Sequence, residues 1–401
     1  MTILKVGADA GNDSLKLWVS GEEPVSVPMV YAYYPGETME LLDDQDVDIE
    51  PNKLFDNLDV TINSPSLKVN NGDRVIIGRK VLTDHLPSIE LEENSDKSSD
   101  EIPLFVTIAS LAAVAMKRNP SKNKLRVKYD LGISLPVNTI SKKAAKANED
   151  RFIGTHEVTF HHPSDRKVHV TVIIEFAKCQ PEGAAGAWGV VYNESGELQK
   201  RTIEVSEGKL AEIDLQHQEM LHFDIGAGTS ELVVTNGVVF NPRLSKGLHF
   251  GVRKAINQIR EVWNHKYPLK AIDTLAEFNQ IYFDSEHPRH SMLRNFSKPH
   301  LRSLADRISK EMLNKIDSMK DNPFVFIYGG GSLIIKDYLE QILESKKRHY
   351  NVTFLSNPTF VNARGLLVYA SSPRFNQLKK AALDEVRAAL DEVKEAVESG
   401  E

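Results

Sequence analysis

Two aspartates in this sequence sit where a phosphate-handling site would need them. In His222-Phe-Asp-Ile-Gly-Ala-Gly-Thr-Ser-Glu-Leu-Val-Val234 an apolar run reaches Asp224, turns through Gly226, Ala227 and Gly228, and passes the hydroxyls of Thr229 and Ser230 into a second apolar run. Asp9 repeats the design: Ile3 to Ala8 leads into Asp9, then a turn containing Gly11, Asn12, Asp13 and Ser14, then a second run that carries Lys16. Glycines suit such turns because a side chain would keep main-chain N–H groups away from a phosphate. A third loop, Gly329-Gly330-Gly331-Ser332, follows the apolar run Pro323 to Tyr328 and opens a helix, so a flat ring or a phosphate can lie against bare backbone. The carboxylates of Asp9 and Asp224 suit Mg²⁺ held largely through water, and Lys16 suits phosphate as a point cation. With one Asp loop in each half, the chain can clamp a nucleoside triphosphate. The first loop would take the β/γ-phosphates with the metal, the second the γ-phosphate and the third the adenosine.

These groups need elements to hold them. Strands are expected at 3–8, Leu15 to Val19, Val25 to Tyr34, Leu58 to Ile62, Arg74 to Ile77 and Lys124 to Leu135, with two more at Arg151 to Phe160 and Val168 to Phe176. Helices are expected from Ile102 to about Lys117 and from Ser141 to Asp150. His161 and His162 read as a turn, because a metal site needs more converging ligands than that pair. The acidic runs Glu40 to Glu50 and Glu90 to Glu101 read as solvated faces or loop tips with no chemistry of their own. Glu182 precedes Gly-Ala-Ala-Gly-Ala-Trp188, a helix of small residues that lets another element pack close. An acid at a helix start also favours the dipole. Residues 193–220 read as irregular with β-like pieces. Helices follow from about Leu248 to Val262 and over much of 266–320, then from about Leu333 to Lys346, and Asn357 to Gly365 opens one that runs through about Ala370. A strand is expected at Asn351 to Leu355. In the charged tail, Phe375 to Glu401, Leu383, Val386, Leu390, Val393 and Val397 recur at helical spacing. That pattern suits docking on the chain's own surface, or association with a partner or a second copy.

Composition bounds the rest. At 401 residues, two domains or lobes are expected. With 41% hydrophobic and 26% charged residues the chain reads as globular. A net charge of −7 argues against direct gripping of nucleic acid. The single cysteine, Cys179, cannot form an intramolecular disulfide, which suits a reducing cytosol. The start runs into a strand without a basic-plus-apolar leader, and the most apolar run, Ile102 to Met116, is short for a bilayer. A cytoplasmic location is expected.

The motifs together resemble the actin superfamily. Asp9-Ala-Gly-Asn-Asp-Ser-Leu-Lys16 resembles its first phosphate motif, Asp224-Ile-Gly-Ala-Gly-Thr229 its second, and Gly329-Gly-Gly-Ser332 its adenosine motif. Gln180-Pro-Glu182-Gly-Ala-Ala resembles the first connecting helix, and the helix near Asn362-Ala-Arg-Gly365 the second. The Asp-x-Gly-Asn opening and the Pro-Glu-Gly-Ala-Ala segment are most similar to ParM-like bacterial actins that segregate plasmids. The resemblance implies an α/β actin/Hsp70-type ATPase fold, with two similar RNase H-like lobes around a nucleotide cleft. It implies domain I at 1–186 with a small exposed subdomain at about 22–100, domain II at 187–365 with a helical subdomain at about 248–320, and C-terminal helices at 366–401 that return to domain I before the charged tail. It further implies metal-site roles for Asp9 and Asp224, a phosphate role for Lys16, and a water-orienting role for Glu182. The implied function is an ATPase, using ATP or GTP with Mg²⁺, that polymerises with itself into filaments. A small DNA-binding adaptor would join such a filament to a centromere-like plasmid DNA.

Other functions of the same fold would show differently. A sugar or acetate kinase, or an exopolyphosphatase, would act as a monomer, and a kinase would carry a distinctive Asp base in the first half. No such base stands out. A filament of phage or cytoskeletal type without plasmid cargo would carry the same motifs. An Hsp70-type chaperone would need a substrate-binding β-domain after the ATPase, and only residues 366–401 follow Gly365.

Overall fold

A computed structural model describes residues 2–36, 50–68, 71–91, 97–161, 166–319 and 322–399. The first half supplies β1 (Ile3–Ala10), β2 (Ser14–Val19), β3 (Val25–Pro28), β4 (Val30–Tyr33), β5 (Leu58–Asn63) and β6 (Arg74–Ile77). The short α1 (Arg79–Thr83) and β7 (Ile89–Glu90) lead to α2 (Glu101–Arg118) and β8 (Lys124–Leu135). Then come α3 (Lys142–Phe152), β9 (Gly154–His161), β10 (Lys167–Pro181) and α4 (Ala184–Val191). Among the described residues, its ten strands form one sheet in the order β3-β2-β1-β8-β10-β9-β5-β6-β4-β7. β2 alternates as a half-buried strand should, with Leu15, Leu17 and Val19 inward. α2 is buried from Ile102 to Met116, and the Asp100 side chain caps it by accepting from the Ile102 N–H at 2.9 Å. That helix is core, as its apolar run suggests, and no described helix is long and apolar enough to cross a membrane.

The second half repeats the plan. The hairpin β11 (Lys200–Ser206) and β12 (Lys209–Asp214) precedes β13 (Glu219–Ile225), β14 (Ser230–Asn236), β15 (Val239–Phe240) and β16 (Lys246–Leu248). Helices α5 (Val252–Lys266), α6 (Leu275–Phe283) and α7 (His290–Ser318) follow, then β17 (Phe324–Tyr328), α8 (Ser332–Ser345), β18 (Val352–Phe354), α9 (Val361–Ser371) and α10 (Pro373–Ser399). In the first sheet β2 and β1 are antiparallel while β1, β8 and β10 run parallel. In the second, β14 and β13 are antiparallel while β13, β17 and β18 run parallel. Each half has its own hydrophobic core, one around Leu104–Met116 and one around Trp263, Phe278 and Tyr282.

Several elements depart from the sequence reading. β10 does not stop at Phe176: after a register shift between Ile174 and Phe176 it continues beside β8 to Pro181, which carries Glu182 to the inner end of the sheet. α3 runs on through Phe152, whose buried ring holds the last turn, so β9 starts at Gly154 instead of Arg151. His161 is no turn residue; it ends β9 and its Nε2 lies 2.9 Å from the Thr61 hydroxyl. His162 and most of the 40–50 run, residues 40–49, lie outside the described residues. The stretch 90–101 is not solvated throughout, because Lys97 within it is buried; residues 92–96 lie outside the described residues.

α4 and α9 cross where the two halves meet. A Cβ at Gly365 would lie 1.9 Å from the Ala185 carbonyl oxygen, so only glycine allows this approach. α10 leaves the crossing docked at its start: Phe375 is buried against Phe176 and Tyr369, and Lys379 pairs with Asp130 and Glu175. Further along, Leu383 and Val386 are exposed, and the side chains of Leu390, Val393 and Val397 lie outside the described ones.

Candidate active site

The two Asp loops are built alike. Asp9 pairs with Lys16 across β1 and β2, and Asp224 pairs with Glu231 at the matching register of β13 and β14. The Gly11 N–H donates to the Ser14 carbonyl at 3.1 Å, and the Gly226 N–H to the Thr229 carbonyl at 2.9 Å, so both turns close the same way. The start of α5 pins the second loop, because the N–H groups of Val252 and Arg253 donate to the carbonyls of Gly226 and Ala227. From there the Arg253 guanidinium crosses to the first loop and pairs with Asp13. The third loop packs beneath: Gly329 has φ +88°, and a Cβ there would lie 2.4 Å from Asp224 Oδ1.

These loops face one shared cleft that is open to solvent. Of the residues expected from the sequence, Asp9, Gly11, Asn12, Asp13, Lys16, Glu182, Asp224, Gly226, Ala227, Gly228, Thr229, Gly329 and Gly330 line it. Ser14, Gly331 and Ser332 do not. Ser14 opens β2, and its carbonyl closes the first turn. Gly331 donates its N–H to the Ile225 carbonyl at 2.8 Å, and the buried Ser332 hydroxyl donates to the Gly329 carbonyl at 2.7 Å. Their hydrogen bonds are spent on shaping the loop.

Four further residues reach the wall: Lys97, Pro358, Thr359 and Asn362. The Asn362 amide donates to Asp224 Oδ2 at 2.7 Å, and outside the wall's first ring the Ser134 hydroxyl donates to Asp9 Oδ1 at 3.0 Å. The Tyr328 hydroxyl donates to the Gly183 carbonyl at 2.7 Å, tying the second sheet to the residue after Glu182. Each of these partners comes from an element remote in sequence, and no local pattern announces it.

The cleft is crowded with negative charge. Burial, reinforced by Asp9 and Glu182, pushes the Asp224 carboxyl up to about 7. Burial also raises Glu182, opposed by Lys97 at 3.0 Å and reinforced by Asp9. An oxygen-donor cation would relieve this repulsion. Among the described residues no cluster of three or more His, Cys, Asp or Glu side chains closes around a metal position.

Glu231, behind Asp224, carries a separate consequence. Burial first, then Glu182 and Asp224, pushes its carboxyl up from 4.5 to about 9. Between those values the folded state binds a proton that the unfolded chain releases. The stability Glu231 contributes is therefore complete below about pH 4.5 and is lost as pH rises through 9. Glu231→Gln, uncharged throughout, is expected to flatten that decline and to gain about 1–3 kcal/mol over the parent at pH 8. Thermal melts over a pH series check this; parallel curves for the two proteins would refute it.

The family described as the actin like proteins N terminal domain matches residues 7–184. No curated protein matches the chain. Among solved structures, the actin-like protein Alp7A superposes with a TM-score of 0.70 at 16% identity, covering 96% of this chain and all of its own. Bacillus thuringiensis ParM with ATP gives 0.64 at 18% identity, covering 94% of this chain and all of that one. An archaeal actin homolog gives 0.62 at 16%, covering 92% and 99%. Residues 7–184 match the actin-like protein N-terminal domain, and the chain shares the two-lobed fold of these actin-like structures.

Proposed function

We propose that the chain is an actin-like ATPase that binds a Mg²⁺–nucleoside triphosphate, ATP or GTP, in this cleft and polymerises with itself. The observation that carries the reading is the convergence of both strand–Asp–Gly loops and the third glycine loop on one cleft that also holds Glu182. Among similar structures, Bacillus thuringiensis ParM occurs with ATP, with AMPPNP and with ADP. In this reading the backbone N–H groups of residues 12–13 and 227–229 hold phosphate oxygens, Lys16 balances charge, and Gly329 and Gly330 face the adenosine. The metal, when bound at Asp9 and Asp224, would neutralise charge developing on the transferred phosphoryl group. Glu182 orients a water for in-line attack on the γ-phosphorus and takes its proton as the new P–O bond forms, while the bond to the bridging β-phosphate oxygen breaks and the nucleoside diphosphate leaves with that oxygen. The released phosphate removes a bridge between the two loops, and the changed angle between the halves weakens contacts along the polymer.

The finer reading is plasmid segregation, with a small basic adaptor joining the filament to centromere-like DNA. The net charge of −7 supports an adaptor over direct DNA contact. Light scattering and electron microscopy with ATP or GTP and Mg²⁺ test polymerisation, and nucleotide titration tests the cleft. Filaments that form with triphosphate and shorten after hydrolysis are expected. No polymer under any nucleotide would sink the filament, and phosphoryl transfer to sugars or acetate would favour a kinase instead.

A further inference from the structure

Lys97 belongs to none of the motifs that point to the cleft, yet it lies on the cleft wall. Its side chain is 9% exposed, and its Nζ stands 3.0 Å from Glu182 Oε1. Its position is fixed from the side that follows it: Asp100, three residues on, caps α2 with its side chain and accepts from Arg151 through its carbonyl at 2.8 Å.

We propose that Lys97 is a positioning residue of the hydrolytic site: it holds the Glu182 carboxylate in place, and it pairs with the terminal phosphate once a nucleoside triphosphate fills the cleft. This inference rests on the nucleotide reading above. As a stabiliser, a buried ion pair is a poor investment, since the cost of dehydrating both charges offsets most of their attraction. At a hydrolytic site the pair does something a hydrophobic contact cannot. It keeps a buried carboxylate ionised and aimed, and it stores a cation next to where new negative charge will arrive. The wall holds Asp9, Asp13, Glu182 and Asp224 against the lysines 16 and 97. A triphosphate brings further negative charge into that balance, and Lys97 is the lysine already held beside Glu182. Its anchoring also links the cleft to α2 and to the strands packed around it, so the lysine reports the position of that part of the first half to Glu182.

The test measures three quantities for the full chain and its variants with Mg²⁺: ATP affinity, ADP affinity, and single-turnover phosphate release. Lys97→Met, which keeps the aliphatic stem, is expected to release phosphate ~10²-fold more slowly. It should also weaken ATP about 10-fold while leaving ADP within about 3-fold, because only ATP has the terminal phosphate. Lys97→Arg, which keeps the charge, should recover most of the ATP affinity. In a Glu182→Gln background, Lys97→Met should slow release little further, because the two residues act as one unit. Lys97→Met releasing phosphate within 3-fold of the parent, or slowing it equally with Glu182 already replaced, overturns the proposal. If Lys97→Met does not fold, Lys97→Gln carries the same expected losses and the same overturning result. A parent protein that binds neither nucleotide would overturn the nucleotide reading and this inference together. A parent that hydrolyses ATP beside an unaffected Lys97 variant overturns this inference alone.

Discussion

Glu182→Gln is expected to slow phosphate release from Mg²⁺–ATP about 10³-fold while nucleotide affinity stays within about 3-fold of the parent. The amide keeps the shape and a hydrogen-bonding oxygen but cannot take a proton from water. Glu182 is 7% exposed, at the end of β10 and facing the cleft, and Lys97 offsets part of the cost of keeping it charged there. Affinity should survive because the phosphate-facing backbone and Lys16 are untouched. Polymers that assemble normally and fail to shorten would accompany the slow step. Rapid-quench measurement of a single turnover checks the rate, and a rate within 10-fold of the parent would assign the water-orienting role to another group.

The second large effect is structural. Gly365→Val should cost more than 4 kcal/mol and leave little folded protein at ordinary temperature. The added Cβ would lie 1.9 Å from the Ala185 carbonyl oxygen and 2.7 Å from its carbon, so backbone must move against backbone. No flexible side chain is available to yield. Gly196→Ala is the control: its φ is +79° with open space around it, so it should cost only about 1 kcal/mol of backbone strain. Denaturant melts compare the two, and a Gly365→Val protein of near-parent stability would mean that the helices can part cheaply.

Much of the fold and some of the candidate site could be read from the chain because the signals are local. A strand, an acid and a glycine turn lie within a dozen residues, and one stretch predicts the whole hairpin. The order of the loops places one in each half, as the matching strand orders of the two sheets show. What stayed hidden is made of contacts between distant residues. Asn362 reaches Asp224 from α9, Ser134 reaches Asp9 from the end of β8, and Lys97 reaches Glu182 out of an acidic stretch that reads as solvated. The sequence could not separate these side chains from surface ones, because their partners are assembled only when both sheets have formed. β10 was legible as a strand but not in its length, because its second part follows a register shift that breaks the alternation. The similar loops also conceal a difference in charge: where Lys16 faces Asp9, an acid, Glu231, faces Asp224.

The glycine crossing of α4 and α9 has a mechanical meaning. Where two backbones touch, there are no compliant side chains to absorb a tilt, so the contact acts as a fulcrum and not as a cushion. A small turn about it is lost nowhere at the crossing and grows with distance along each sheet. Phosphate loops near the axis would shift little, and the far edges of the two sheets would travel much further. Such an arrangement would act as a lever with the cleft at its short arm, and its output would be felt at the outer surfaces.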